Sequence, residues 1–219
     1  MDRTRDRPVP AGVITKWQAW IFAVLLIVGG LILMYQLDSA LPAILGLINI
    51  FLYNGVYTPL KRITAFAAIP GALIGAIPPL IGWTAAGGNI LHFHAILLAF
   101  LFFVGQIPHF WLILLKNTGD YERAGFPTLA RHFSDQQIAR LTLFWIFATA
   151  MSAVMIVLFG IISSYTISLL VLATILYLLY SFRKWFMIHS IPDPRKAFIS
   201  LNVFYFLMML LLIADALGR

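Results

Sequence analysis

The 219-residue chain contains no cysteine. Disulfides, thiolate metal sites and thiol chemistry are therefore excluded. Charge is scarce as well: charged residues make up 11% and hydrophobic residues 62%. A water-soluble domain carries about 25% charged residues on its surface. With a mean hydropathy of +0.94, the solvent of this chain must be lipid. Acidic residues are the rarer charge, 8 against 15 Lys and Arg, for a net charge of +7. In a soluble protein that balance points to nucleic acid. Here the charges lie in short loops between apolar spans, so topology and anionic headgroups or substrate explain them and no nucleic-acid partner is expected. The spans themselves are nearly free of ionisable groups. Proton pumps and ion-coupled transporters place such groups near the bilayer midplane. A site at the mouth of the bundle is expected instead.

What is present is a series of seven apolar runs, at about 17–36, 40–58, 66–84, 92–115, 138–163, 166–182 and 198–217. Each is near the ~20 residues a span needs, and the first is long enough to span rather than to serve as a signal segment. Backbone groups in lipid must be satisfied internally, and continuous apolar runs argue against a β-barrel. The expected fold is an all-α integral membrane protein, a bundle of about seven transmembrane helices forming one domain over 1–219. The third run is interrupted by Pro70-Gly71 and Pro78-Pro79. Such breaks suit backbone lining a cavity, or an ordinary kinked helix. Ser134-Asp135-Gln136-Gln137 has the pattern of a helix-starting capping box.

Fourteen of the 15 Lys and Arg fall in alternate connections, and only Arg219 falls opposite. The positive-inside rule then puts the N-terminus in the cytoplasm and the C-terminus outside. The fourth run holds Gly105-Gln106-Ile107-Pro108-His109-Phe110-Trp111, followed by Lys116 and Asp120. If the helix runs on through Pro108 and Gly119, both of which can break it, His109, Lys116 and Asp120 share one face, as a base, a cation and a metal-binding carboxylate. The alternative is a buried histidine bonded to backbone plus ordinary loop charges, and spacing alone favours it. Lys61-Arg62 and the run Arg3-Thr4-Arg5-Asp6-Arg7 would each pass for anchors at the membrane surface. Asp2 and Asp6 have a spacing that could share a divalent cation, but the flanking arginines favour local pairing. His92 and His94 are expected at the outer interface. His132 and His189 are loop residues without an evident partner.

The run Tyr57 to Thr64, followed by Gly75 to Trp83, resembles the signature of the protoheme IX farnesyltransferases, within the intramembrane aromatic prenyltransferase superfamily. Gln106 to Phe110 and Asp120-Tyr121-Glu122-Arg123-Ala124-Gly125-Phe126-Pro127 resemble further motifs of that family. Met1 to Pro8 resembles the stretch after its first Asp-rich motif. The resemblance implies nine spans, the first two of which precede the point where this chain starts. Either the start was placed at an internal methionine, the preferred reading, or the chain is a truncated relative. In both cases weak activity is expected of the chain as given. Ala67 stands where the family usually has Asn.

The implied reaction is transfer of a farnesyl group from farnesyl diphosphate to a vinyl group of protoheme IX, giving haem o. The resemblance implies Mg²⁺ on Asp120, a diphosphate clamp among Lys61, Arg62, Lys116, Arg3 and Arg7, Tyr121 beside the substrate, and His109 in haem contact or proton handling. It further implies a bacterial plasma membrane, with a mitochondrial inner membrane as the alternative, and a terminal oxidase as partner of the product. Other functions compete. A retinal protein needs a lysine in its last span, and 198–217 has none. A transporter, a prenyltransferase of quinone precursors and a non-catalytic haem-binding assembly protein are the remaining alternatives.

Overall fold

The computed structural model describes residues 4–37, 39–186 and 193–218. Seven apolar helices follow one another: α1 (Lys16–Tyr35), α2 (Leu41–Leu60), α3 (Ala65–Ala85), α4 (Phe93–Lys116), α5 (Asp135–Leu158), α6 (Tyr165–Ser181) and α7 (Pro194–Leu217). Six have the length and apolarity to cross a membrane, and α6, at 17 residues, is slightly shorter. Each lies within a few residues of the apolar run that predicts it. The protein is therefore an all-helical, multi-pass membrane protein.

Local chemistry sets the boundaries. The capping box at Ser134 forms as its sequence predicts, with Ser134 and Gln137 each bonding the other's backbone N–H. An equivalent box between Thr15 and Gln18 starts α1. Asp193 caps α7 ahead of Pro194, whose missing N–H costs nothing at a helix start. In α3 the prolines leave a kinked helix: Ala72 turns back to Ile69, three residues away, at the junction after Pro70-Gly71. Pro78 and Pro79 lie inside the following helical segment. The lower part of α2 lies within the apolar run but departs from α-helical geometry, which that run does not announce. Its residues Leu52–Tyr57 are π-helical, and the Thr58 N–H bonds to the Tyr53 carbonyl five residues back. The wider turn lies just ahead of Pro59, which has no N–H to give.

Helix α4 is the centre of the bundle and packs against α3, α5 and α7. One apolar core joins α4 to α7 through Leu101, Leu112, Ile146, Leu178 and Phe204. A second joins Ala65, Ala68 and Ala72 of α3 to Ile107 and Trp111 of α4 and Ile138 of α5. Helix α1 differs, since it packs on α2 and buries none of its own residues. Gly105 lets α7 approach α4, because a Cβ there would overlap the Tyr205 hydroxyl.

At the end of the bundle away from the basic loops, polar groups close the helix ends. The Asp215 side chain is buried (3% exposed). Its carboxylate accepts the backbone N–H of Ser164 at 2.8 Å and of Ser163 at 3.1 Å. It thereby ties the start of α6 to the end of α7. His92 accepts the His94 N–H to cap α4, His94 donates its Nε2–H to the Phe159 carbonyl at 3.2 Å, and Trp83 stacks on His92.

Candidate functional site

At the basic end, α4 stops at Lys116. Asn117 leaves helical geometry (φ −120°, ψ 24°), and a short helix, Thr118–Arg123, begins anew. Pro108 is accommodated inside α4. The short helix ends in a Schellman motif, with Gly125 at φ +75° and the N–H groups of Gly125 and Phe126 returning to Glu122 and Tyr121. The Thr128 hydroxyl then donates to Glu122 at 3.0 Å. These bonds fix a compact loop over the mouth formed by α2, α3 and α4.

Lys61 and Arg62 face this loop from the other side. Lys61 lines a narrow crevice with Tyr57, Ala67, Phe110, Tyr121 and Pro127. The free room inside is about 10 Å³, enough for about one water. Arg62 borders a wider opening of about 260 Å³ against Ala124, Gly125 and Phe126. Neither cation has a carboxylate partner among the described residues. The Lys61 ammonium lies 5.4 Å from the centre of the Tyr57 ring. Partial burial, and secondarily the charge of Arg62, hold its pKa below the ordinary lysine value.

An aromatic wall continues inward. Tyr57 stacks on Phe110 at 4.9 Å. Gly71 makes this possible, because a Cβ there would fall 2.6 Å from the Tyr57 ring. Next to Phe110 on α4, His109 lies 5.0 Å from the Phe198 ring of α7. The Lys116 ammonium lies 5.6 Å from that same ring. Lys61, Tyr57, Phe110, His109, Phe198 and Lys116 thus form one continuous wall.

The expected site residues separate into groups. Lys61 and Tyr121 share the crevice, and Arg62 opens beside it. His109 and Lys116 share Phe198, which spacing within α4 allows and the break at Asn117 does not disturb. Asp120 lies beyond that break, so helical continuity with Lys116 is lost. Its carboxylate accepts from Arg123 Nη2 at 2.6 Å, and it is not among the residues lining the crevice. Arg7 is exposed in the turn ahead of α1, and its neighbour Arg5 pairs with Asp6 at 3.6 Å. Arg3 and Asp2 lie outside the described residues, as does His189. Sequence reading missed Arg123, which its i, i+3 spacing from Asp120 announces. It also missed Phe198 and the Tyr57–Phe110 stack, for which spacing gives no signal. As for Mg²⁺, no cluster of three or more His, Asp or Glu is found among the described residues. Asp120, the carboxylate expected to hold Mg²⁺, is paired with Arg123 and borders neither opening, so a magnesium site there would have to be completed by phosphate oxygens.

A family model for the UbiA prenyltransferase family matches residues 1–214. The chain belongs to the UbiA prenyltransferase family. Among family members, a protoheme IX farnesyltransferase of Geobacter sulfurreducens is 39% identical over 166 residues, covering 74% of this chain and 60% of the relative. One from Oleidesulfovibrio alaskensis is 33% identical over 218 residues, covering 99% of this chain and 75% of the relative. One from Aquifex aeolicus is 42% identical over 130 residues, covering 59% of this chain and 44% of the relative. The chain thus spans between 44% and 75% of the length of these three relatives. A solved digeranylgeranylglyceryl phosphate synthase superposes with a TM-score of 0.73 at 17% identity, over 100% of this chain and 77% of that one. That likeness supports the fold alone.

Proposed function

We infer that the protein transfers a farnesyl group from farnesyl diphosphate to a vinyl group of protoheme IX, giving haem o. The observation that carries this reading is the pair Lys61 and Arg62. They are two adjacent cations without counter-ions among the described residues, facing one loop and backed by an aromatic wall. Such a pair accepts a diphosphate, and the wall behind it accepts an allylic cation through its ring faces. The relatives that share this chain's sequence carry the corresponding name.

In this reading Arg62 takes the diphosphate oxygens in the wider opening, and Lys61 takes the oxygen next to the breaking carbon–oxygen bond. Asp120, once released from Arg123, would hold Mg²⁺ together with diphosphate oxygens, and the ion would supply further neutralisation of the leaving charge. Tyr57 and Phe110 face the allylic carbon as positive charge develops, and they exclude water from it. Tyr121 lines the same crevice, whose free room of about 10 Å³ must widen to admit that carbon. Attack by the haem vinyl group forms the new carbon–carbon bond, and water captures the resulting cation and loses a proton. His109, on the wall next to Phe110, stands where that proton is released. Lys116 offers its charge to a haem propionate or to the diphosphate. Arg7, and Arg3 if it folds toward the mouth, would add to the same field. The reading extends to a plasma (inner) membrane, with the basic face toward the cytoplasm, and to a terminal oxidase as recipient of the product.

Membranes containing the protein, supplied with protoheme IX, farnesyl diphosphate and Mg²⁺, are expected to form haem o, identified by mass. Asp120→Asn is expected to raise the Mg²⁺ concentration needed for half-maximal retention of labelled farnesyl diphosphate by about ten-fold. Absence of both product and farnesyl diphosphate retention in the unaltered protein would overturn the reading.

A further inference from the structure

Arg140 takes no part in the site above. It lies on α5, five residues beyond Asp135 at the helix start. Its side chain is exposed, and among the described residues no carboxylate pairs with it. It borders a groove of about 390 Å³ lined with Phe133, Gln137, Leu141 and Phe144. Below it, α5 presents Phe144, Phe147 and Met151 outward, with exposures of 63%, 41% and 60%. Their spacing of three and four residues puts them on one helical face beneath Arg140.

Depth decides what can meet this guanidinium. From Arg140 to Leu158, the last residue of α5, an α-helix rises about 27 Å. The hydrocarbon layer is about 30 Å thick. With the far end of α5 at one boundary, Arg140 reaches the other, at the level of headgroup phosphates. A planar guanidinium matches two phosphate oxygens at once, which an ammonium does not. Gln137 uses its carbonyl Oε1 to accept the Ser134 N–H at 2.9 Å, which leaves its NH₂ to donate. An unpaired cation, an amide donor and an apolar stripe leading into the bilayer are complementary to one molecule with an anionic head and a hydrocarbon tail.

We propose that this groove binds an anionic phospholipid. The phosphodiester rests on Arg140 and the Gln137 amide, and one acyl chain runs along Phe144, Phe147 and Met151. The site is separate from the Lys61 crevice and does not depend on the transferase reading.

The test uses purified full-length protein in neutral detergent, with bound lipid counted by native mass spectrometry. Phosphatidylglycerol is expected to bind at least about five-fold more tightly than phosphatidylcholine, the effect of one cation at the surface. Arg140→Gln is expected to abolish that preference, and Arg131→Gln, an exposed cation on the same side that does not line this groove, to keep it. A photoactivatable phosphatidylglycerol on the unaltered protein is expected to label residues between 133 and 151, a readout independent of how the variant folds. Equal binding of the two lipids, full preference in Arg140→Gln, labelling confined to other segments, or equal occupancy by inorganic phosphate would each overturn the proposal.

Discussion

At the end of the bundle that holds Asp215, polar groups are spent on each other. The carboxylate takes backbone donors from Ser163 and Ser164, His94 reaches the Phe159 carbonyl, and His92 caps its own helix. At the opposite end Lys61 and Arg62 face a loop without a counter-ion among the described residues, and an ammonium lies over an aromatic ring instead. Burying an unpaired polar group is costly in either place. Where the protein satisfies such groups internally, they hold helices together. Where it leaves cations open beside a crevice, the missing partner comes from outside.

The contrast can be broken most forcefully at the open end. The double variant Lys61→Gln, Arg62→Gln is expected to slow haem o formation by roughly 10²- to 10³-fold, as loss of donors to a developing charge does. Its unfolding temperature in detergent is expected to stay at that of the unaltered protein. A large loss of stability instead would place these cations among the structural groups. At the closed end the pattern reverses. Asp215→Ala strands the donors of Ser163 and Ser164, and is expected to cost about 2–3 kcal/mol of stability. Thermal unfolding measures it, while activity per folded molecule should hold.

The smallest effect sharpens the comparison through pH. Lys61 loses its proton below the ordinary lysine value of 10.5 because burial, and then Arg62, disfavour its charge. Only the charged form clamps an anion, so activity is expected to decline as pH rises through that lowered value. Lys61→Arg stays charged throughout and is expected to move the alkaline decline upward in a pH–rate profile.

The spans were legible because lipid leaves no alternative to a continuous apolar helix, and a charged loop marks one end of each. The start of α5 was legible from Ser134 and Gln137, since a capping box is local chemistry. The candidate site was readable in part. Lys61, Tyr121 and Arg62 lie around one loop, and His109 and Lys116 share a ring. The break after α4 was legible only roughly: Pro108 stays inside the helix, and Gly119 lies two residues beyond Asn117, where helical geometry ends. The π-helical turn of α2 depends on Pro59 together with the packing of Tyr57 against Gly71, a contact between distant segments. Asp215 looks in sequence like a tail charge, and only the meeting of α6 with α7 gives it a task.

Helix α1 buries no residue of its own, so its identity is read by the bilayer rather than by neighbouring side chains. Most exchanges among Leu, Ile, Val and Phe should pass unnoticed there. The same exchanges in α4, where Trp111 and Leu112 are enclosed on every side, meet a fixed shape. A library randomised within apolar letters should therefore drift freely in α1 and stay almost frozen in α4.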